Sequence, residues 1–221
     1  MKNDLTLIIP AKNETESLPI FLKELKKYKF KILIVVDSKD NNDYSMLKSK
    51  NVKIKDQKNP GFGNAIIEGI NLTKTKYFSI INADGSMDPK YLQRMLNLCR
   101  KNNNFVFASR YLKKGGSDDD TIITYIGNKF FSLLGKVLFN LNLSDILFTY
   151  IVGETKKAKS LKLKSADFTL CVELPIKQKK MGFKYNSIPS YERKRIGGAK
   201  KVNALKDGLL ILLSMLKFYF Q

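Results

Sequence analysis

The chain has 221 residues, of which 43% are hydrophobic and 27% are charged. These proportions are ordinary for a soluble globular protein, and the length suits one domain with a substantial core. The formal net charge of +20 indicates attraction to nucleic acid, an anionic membrane leaflet or phosphorylated substrates. Most of this charge is lysine spread along the chain, a pattern that a solvated surface also produces, so charge alone identifies no partner.

Strands and helices are predicted to alternate along the chain. Apolar runs predict strands at residues 5–9, 31–36, 77–81 and 105–111, and a further strand is predicted at 51–55. Helical spacing predicts helices at residues 16–28, 44–50, 65–72, 90–101, 125–141 and 166–177, with a mobile polar loop at 113–120. We expect the apolar face of the helix at 125–141 to pack on the sheet. This order predicts an α/β fold with a parallel, doubly wound sheet.

The loop after the first predicted strand excludes two common nucleotide sites. Its sequence is Pro-Ala-Lys-Asn-Glu at residues 10–14. A dinucleotide-binding Rossmann unit needs G-x-G-x-x-G at this place, and no phosphate-binding P-loop is present either. The two cysteines, Cys99 and Cys171, have no metal-ligand spacing and are predicted to be reduced core residues of a cytosolic protein.

Polar residues follow the second and third predicted strands. Asp37 ends the second strand, where it can accept hydrogen bonds from a ribose or a base, or simply cap the next segment. Gly61 and Gly63 lie at the entry of the next helix, where glycine permits close backbone approach and the helix end favours an anion. Any tight loop can use such a pair of glycines.

The stretch at residues 77–89 is the strongest candidate for a metal site. A buried strand is followed by Asn82, Asp84, Ser86 and Asp88. The ligand crevice of an open α/β sheet lies at the carboxyl ends of its strands, and Mg²⁺ is often held there by one or two carboxylates and substrate phosphates. The alternative interpretation is a turn without chemistry, because Asn, Asp and Gly favour turns.

These motifs together resemble family 2 glycosyltransferases of the GT-A fold, in particular the dolichyl- or polyprenyl-phosphate mannosyl- and glucosyltransferase branch. The motifs are Ile-Pro-Ala-Lys-Asn-Glu, Ile-Val-Val-Asp, Asn-Pro-Gly-Phe-Gly-Asn-Ala and Asn-Ala-Asp-Gly-Ser-Met-Asp-Pro, in that order. The resemblance implies Mg²⁺ or Mn²⁺ at Asp84 and Ser86. It also implies a nucleotide-sugar pocket that includes Pro10, Asn13, Glu14, Asp37, Gly61, Gly63, Asn64, Asn82, Ala83 and Asp84.

The chain departs from this family pattern at two positions. Asn82 stands where the metal motif usually has its first acid, and Ser38 follows Asp37 where a second acid is common. An amide oxygen is a weaker ligand than a carboxylate for a hard cation, so Asp84 is expected to be the main metal ligand.

The second half carries further candidate catalytic residues. Arg110 matches the family's Ser-Arg-Tyr element, and a guanidinium suits a phosphate or a carboxylate. The segment at residues 193–201 is basic, contains glycine and matches a family segment that acts as a lid over phosphates, with Arg193, Arg195 and Lys201 as the matching positions. The alternative is a run of charges on a solvated surface.

Two further acids come from the same resemblance, Asp145 and Glu173; Glu173 matches an acid beside the acceptor, and the alternative is a solvated helix residue. The resemblance also gives an alternative for the helix at 125–141, because helices of this region lie against the membrane near the lipid acceptor in the resembled branch.

The predicted organisation is a nucleotide-sugar half at residues 1–112, an acceptor half at 113–204 and an apolar tail helix at 205–221. The tail is too short to span a membrane, so we expect a peripheral protein on the cytoplasmic membrane face. The resemblance implies transfer to polyprenyl phosphate, which needs no base; a saccharide acceptor would need Asp145 or Glu173, because the chain has no histidine. Nucleic-acid binding is not expected, since acids and glycines occupy the strand ends.

Overall fold

A seven-stranded sheet runs through the part of the chain that the computed structural model describes, which is residues 4–101, 103–197 and 203–221. Its order is β3-β2-β1-β4-β7-β5-β8, and β7 runs antiparallel to both of its neighbours while the other pairs are parallel. The strands are β1 (Leu5–Ala11), β2 (Lys31–Val36), β3 (Val52–Asp56), β4 (Tyr77–Ile80), β5 (Phe105–Ser109), β7 (Ile151–Glu154) and β8 (Tyr185–Pro189).

Helices cover both faces of this sheet. One apolar cluster packs α1 and α3 on the first face, and a second packs α2, α4, α6 and α7 on the other. The helices are α1 (Ser17–Leu25), α2 (Phe62–Leu72), α3 (Leu92–Arg100), α4 (Ile122–Phe139), α5 (Thr155–Ser160), α6 (Leu170–Lys180) and α7 (Ala204–Phe220). The predicted mostly parallel α/β architecture is therefore confirmed, and the sheet continues through both predicted halves.

Two local predictions are wrong. The helix predicted at residues 44–50 is only the 3₁₀ turn Ser45–Leu47. The loop predicted to be mobile at 113–120 contains β6 (Gly116–Ser117), which pairs in parallel with β9 (Tyr191–Glu192) in a small second sheet. This pairing joins the start of the acceptor half to the basic segment that follows β9.

The apolar side of α4 does not pack on the sheet as predicted. Its buried residues are Asn128, Phe131, Ser132 and Gly135. The apolar side chains that remain exposed are Ile122, Ile123, Tyr125, Ile126, Phe130, Leu133 and Val137. By length and composition alone α4 could cross a membrane, although one such helix is weak evidence for a span.

Helix α7 lies against α4 and shares this character. It buries Ile211 and Met215 and leaves a second set of apolar side chains exposed: Leu205, Leu209, Leu210, Leu213, Leu216, Tyr219 and Phe220. Exposed contiguous apolar patches on soluble domains mark interaction sites. We call the exposed sides of α4 and α7 together the apolar surface.

Candidate functional site

A cavity of about 1310 Å³ opens at the carboxyl ends of β1, β2, β4 and β5. Chain segments that leave parallel strands at one edge of the sheet bring their polar residues together there. The predicted residues that line this cavity are Pro10, Asn13, Glu14, Asp37, Gly61, Asn82, Ala83, Asp84, Arg110 and Arg195. The structure thus brings the motifs of the first half and one arginine of the basic segment into one site.

The loop after β1 is shaped by polar contacts with the loop after β2. Asn13 adopts a left-handed backbone conformation, with φ of 52°, and its N–H donates to Asp40 Oδ2 at 2.7 Å. The N–H of Glu14 donates to the Tyr44 hydroxyl at 2.9 Å, and the Glu14 carboxylate accepts from Ser17 at 2.5 Å. These contacts fix the cavity wall where a nucleotide-binding glycine loop is missing.

Asp37 links the end of β2 to the entrance of α2. Its carboxylate accepts from the N–H of Lys39 at 2.9 Å and of Gly61 at 3.2 Å, and Lys12 Nζ lies 3.5 Å away. Burial raises the pKa of this carboxyl, but the two backbone hydrogen bonds and Lys12 outweigh that effect and leave the pKa lowered. Asp37 is therefore an ionised acceptor on the wall of the cavity.

Gly61, which precedes α2, and Gly63, in its first turn, lie close to another part of the protein's own backbone. A Cβ on Gly63 would lie 2.1 Å from Ser165 O, and one on Gly61 would lie 2.3 Å from Ala166 O. Asn64 donates its N–H to Ala166 O at 3.2 Å. Gly63 and Asn64 thus hold the segment 165–167 against α2 and lie outside the cavity lining, whereas Gly61 contributes to that lining.

The turn after β4 presents one carboxylate to the cavity. Asp84 Oδ1 accepts from the Ser86 N–H at 3.0 Å and from the Ser86 hydroxyl at 2.8 Å, so Oδ2 faces Arg195. Ser86 is buried behind Asp84 and orients it, which differs from the predicted role of metal ligand. Asp88 caps the turn Pro89–Tyr91 by accepting from Lys90 N–H.

Asp84 with Asn82 beside it suits a hard divalent cation, provided that further oxygens come from a ligand. No group of three or more His, Cys, Asp or Glu side chains that could hold a metal occurs within residues 4–101, 103–197 and 203–221. Mg²⁺ commonly takes one or two protein carboxylates and completes its shell with substrate phosphates and waters. The protein groups fit a cation that binds together with a diphosphate.

Arg110 lies at the centre of a buried network of charges. Its Nε and Nη2 donate to Asp145 at 2.8 and 2.9 Å, and its Nη1 donates to Glu192 at 3.0 Å. Burial lowers the pKa of this guanidinium, but Asp145 and Glu192 more than compensate and raise it. Asp145 has a fully buried side chain with both oxygens on Arg110, so the structure does not place it as a general base.

Glu173 is also not placed as a base. It lies on α6 with a buried side chain that accepts from the N–H groups of Lys164 and Ser165 and pairs with Lys177 at 2.6 Å. Burial raises the pKa of its carboxyl, yet these partners leave the pKa lowered. It is not among the residues that line the cavity.

The basic segment after β9 lies across the Asp84 turn. Arg193 donates from its backbone to Ser86 O at 2.8 Å, and its side chain contacts Gly85 O and pairs with Glu24. Arg195 donates to Asp119 at 2.6 and 3.3 Å, and these bonds raise the pKa of its guanidinium. Arg195 lines the cavity and Arg193 does not. Lys201 lies outside the described residues.

Several cavity residues were missed from the sequence. Asp119 and Glu192 partner the two arginines, while Asp167 and the stacked rings of Phe62 and Phe168, 4.8 Å apart, lie near the entrance of α2. The acid run at residues 118–120 could have been noticed in so basic a chain. Nothing local marks Glu192, because its partners Arg110 and Ser117 are distant in sequence. Asp167 accepts hydrogen bonds from Thr169, two residues further on, and this local pattern does not indicate a cavity residue.

Comparison with known proteins agrees with this geometry. The family model described as glycosyl transferase family 2 matches residues 6–161. A protein of Methanocaldococcus jannaschii is 25% identical over 196 residues, which is 85% of this chain and 81% of that protein. A glycosyltransferase of Mycobacterium tuberculosis is 29% identical over 108 residues, and the match spans 48% of each chain, about half the length of that relative.

Solved structures show the same fold. The crystal structure of glucosyl-3-phosphoglycerate synthase from Mycobacterium tuberculosis in complex with Mn²⁺, uridine diphosphate and phosphoglyceric acid has a TM-score of 0.74 at 12% identity. The match covers 98% of this chain and 78% of that one. At such identity the likeness concerns the fold. The family match over most of the chain, on this sheet order, shows that the protein belongs to glycosyltransferase family 2 and adopts a GT-A fold.

Proposed function

We propose that this protein transfers a sugar from a nucleotide-sugar donor, of the GDP-mannose or UDP-glucose type, to a polyprenyl phosphate. The reaction inverts the anomeric centre, uses Mg²⁺ or Mn²⁺, and takes place at the cytoplasmic surface of a membrane. One observation carries the proposal: the cavity that begins at Asp37 and Asp84 continues to the apolar residues of α4 and α7. A polar donor and an apolar acceptor can therefore meet in one space.

The donor end of the cavity supplies charge and hydrogen bonds. Asp37 is the ionised acceptor beside the loop after β1, where a ribose or base would lie. Asp84 is the carboxylate for a divalent cation, which when bound would stabilise the negative charge of the departing nucleoside diphosphate. Arg195 sits beside Asp84 and adds a guanidinium to the same region. A protein of this fold, glucosyl-3-phosphoglycerate synthase, forms a complex with Mn²⁺ and uridine diphosphate, which supports a donor that binds together with a divalent cation.

The acceptor end of the cavity suits a lipid. It is lined by Ile123, Ile126 and Phe130 of α4 and by Leu209 and Leu212 of α7. All of these except Leu212 also belong to the apolar surface, so a polyprenyl chain could pass from a membrane into the cavity without crossing water. Burial of apolar area contributes about 25 cal/mol per Å² to such binding.

The two acids that the sequence offers as a base are both engaged elsewhere, which favours an acceptor that is already ionised. The chain contains no histidine, and Asp145 and Glu173 are both held in buried ion pairs. A phosphate monoester carries its negative charge near neutral pH and needs no proton removed. The residues of the site then act by orientation and charge compensation alone.

Basic residues beside the apolar surface support contact with an anionic membrane. A separate cleft of about 590 Å³ near the start of α4 is lined by Lys113, Lys114 and Lys129. Exposed lysines at the edge of an apolar surface attract anionic headgroups. Each basic residue near the membrane contributes about 1 kcal/mol of binding free energy before salt screens the charges. The overall charge of +20 acts in the same direction.

A second candidate function is transfer to a hydroxyl group of a saccharide or another small acceptor. Asp167 favours this reading, because it is a carboxylate that lines the cavity and could accept a proton. The name of glucosyl-3-phosphoglycerate synthase shows that one protein of this fold acts on a small acceptor.

Two measurements test the proposal. Sugar nucleotides are first screened for thermal stabilisation of the protein, with and without Mn²⁺. The stabilising donor, carrying a labelled sugar, is then offered to a short-chain polyprenyl phosphate and to saccharides. We expect label on the lipid phosphate, and we expect Asp84→Ala to abolish transfer while the variant unfolds at a similar temperature. Label on saccharides alone would favour the second function, with Asp167→Asn as its next test.

A further inference from the structure

Arg195 stands between two carboxylates that come from different parts of the chain. Its Nη2 and Nε donate to the Asp119 carboxylate at 2.6 and 3.3 Å, whereas its Nη1 lies 3.8 Å from Asp84 Oδ2. Two-pronged bonds between a guanidinium and a carboxylate are strong and geometrically specific. Arg195 is therefore bound to Asp119 and only adjacent to Asp84.

The backbone beside Arg195 is fixed to the same turn that carries Asp84. Ile196 donates its N–H to Asp84 O at 2.8 Å, and Arg193 donates its N–H to Ser86 O at 2.8 Å. With the backbone held at Arg193 and Ile196, side-chain rotation is enough to move the guanidinium from one carboxylate to the other. Asp84 Oδ2, 3.8 Å from Nη1, is already within reach.

Asp84 Oδ2 is the oxygen for which a cation and Arg195 would compete. Oδ1 already accepts two hydrogen bonds from Ser86, and Oδ2 faces Arg195 in the cavity. We propose that Asp119 is a positioning residue that holds Arg195 off Asp84, so that Asp84 Oδ2 stays available to a divalent cation. This inference rests on the metal-dependent transfer proposed above.

A third carboxylate that acts on Arg195 is engaged with other partners. Glu192 is close enough to affect Arg195, but its Oε2 accepts from Arg110 at 3.0 Å and from Ser117 at 2.5 Å. Asp119 itself is placed by the small second sheet, since its N–H donates to the Ser117 hydroxyl at 3.1 Å. Loss of the Asp119 charge would leave Arg195 to move onto Asp84.

The test measures Mn²⁺ binding by electron paramagnetic resonance, with uridine diphosphate and, in parallel, guanosine diphosphate present. We expect Asp119→Asn to weaken Mn²⁺ binding about tenfold, the scale of a unit charge moved next to the ligand at a partly screened site. Arg195→Gln should bind Mn²⁺ at least as tightly as the unchanged protein. The double variant Asp119→Asn, Arg195→Gln should match Arg195→Gln, because no guanidinium remains to compete.

Two controls separate this role from a structural one. Asp118→Asn makes the same change of charge one residue earlier, at a carboxylate that accepts from the Tyr191 hydroxyl, and should leave Mn²⁺ binding unchanged. Asp119→Glu should restore most of the affinity that Asp119→Asn loses. Thermal unfolding of each variant shows whether the fold is retained.

The outcomes are distinct. Equal Mn²⁺ affinity in Asp119→Asn and the unchanged protein would overturn the inference, as would a double variant that binds as weakly as Asp119→Asn. If the unchanged protein binds no Mn²⁺ with either diphosphate, the metal in the proposed function is wrong and the role of Asp119 falls with it.

Discussion

Glu173 shows how one residue can match a family position and still serve a different purpose. Resemblance suggested an acid beside the acceptor, but its carboxylate binds the N–H groups of Lys164 and Ser165 and the ammonium of Lys177. These bonds fix the segment that leads into residues 165–167, which packs against α2. The residue therefore supports the donor side of the cavity from behind.

Glu173→Gln should lower the free energy of unfolding by about 1–3 kcal/mol near neutral pH, because charge-assisted hydrogen bonds are lost. The pKa of Glu173 is lowered in the folded state, so its contribution is full above its ordinary value of 4.5 and disappears as the pH falls through the folded-state value. Denaturant unfolding at several pH values should show the two proteins converging in acid. The exposed Glu16→Gln is the control. If the difference in unfolding free energy between the unchanged protein and Glu173→Gln stayed constant down to strongly acidic pH, this account would be wrong.

At the scale of elements, the contact between α2 and the segment 165–167 depends on glycine. Gly63→Ala should destabilise the protein by about 1–3 kcal/mol, because its Cβ would meet the carbonyl oxygens of Ser165 and Asp167. Gly127→Ala, in α4 with open space around it, should be neutral or slightly stabilising. Thermal unfolding of both variants tests the pair. Equal stability would mean that the segment 165–167 moves aside at little cost.

Elements differed in how well the sequence predicted them. The strands β1, β2, β4 and β5 were predicted because each is a mostly apolar run that is buried in the sheet. Strand β3 was also predicted, although it alternates the half-buried Val52 and Ile54 with exposed lysines. The short β7 was missed, since nothing local indicates that four residues will pair antiparallel between β4 and β5. Helix α4 was predicted with the right spacing but the wrong environment, because periodicity locates an apolar side and does not say what covers it.

The residues of the candidate site also differed in how well the sequence predicted them. Residues at strand ends, such as Asp37 and Asp84, were predicted because parallel strands bring their ends together at one edge. The pairing of Asp119 and Glu192 with their arginines could not be predicted, even though the acid run that contains Asp119 is visible, because each meets its arginine through the small second sheet of β6 and β9. Pairing between two-residue strands leaves almost no sequence signal.

The whole molecule combines a high positive charge with a one-sided apolar surface. Exposed apolar side chains concentrate on α4 and α7, whereas Ile20, Met46 and Leu72 are isolated examples elsewhere on the chain. The lysine-lined cleft adjoins the start of α4. We expect such a protein to bind an anionic membrane with α4 and α7 facing the lipid. Long-range charge attraction acts first, and the apolar side chains make contact afterwards.

We therefore expect the protein to sediment with vesicles that contain anionic lipid, and the bound fraction to fall as salt screens the charges. Replacing Ile126, Leu133 and Val137 by serine should weaken vesicle binding most clearly at high salt, where apolar contact is the remaining attraction. The matched control replaces Ile20, Met46 and Leu72 by serine, which removes exposed apolar residues from other surfaces. Donor binding, followed by thermal stabilisation, should stay intact in both variants. Equal vesicle binding by the two triple variants would contradict a membrane role for α4 and would favour a soluble acceptor.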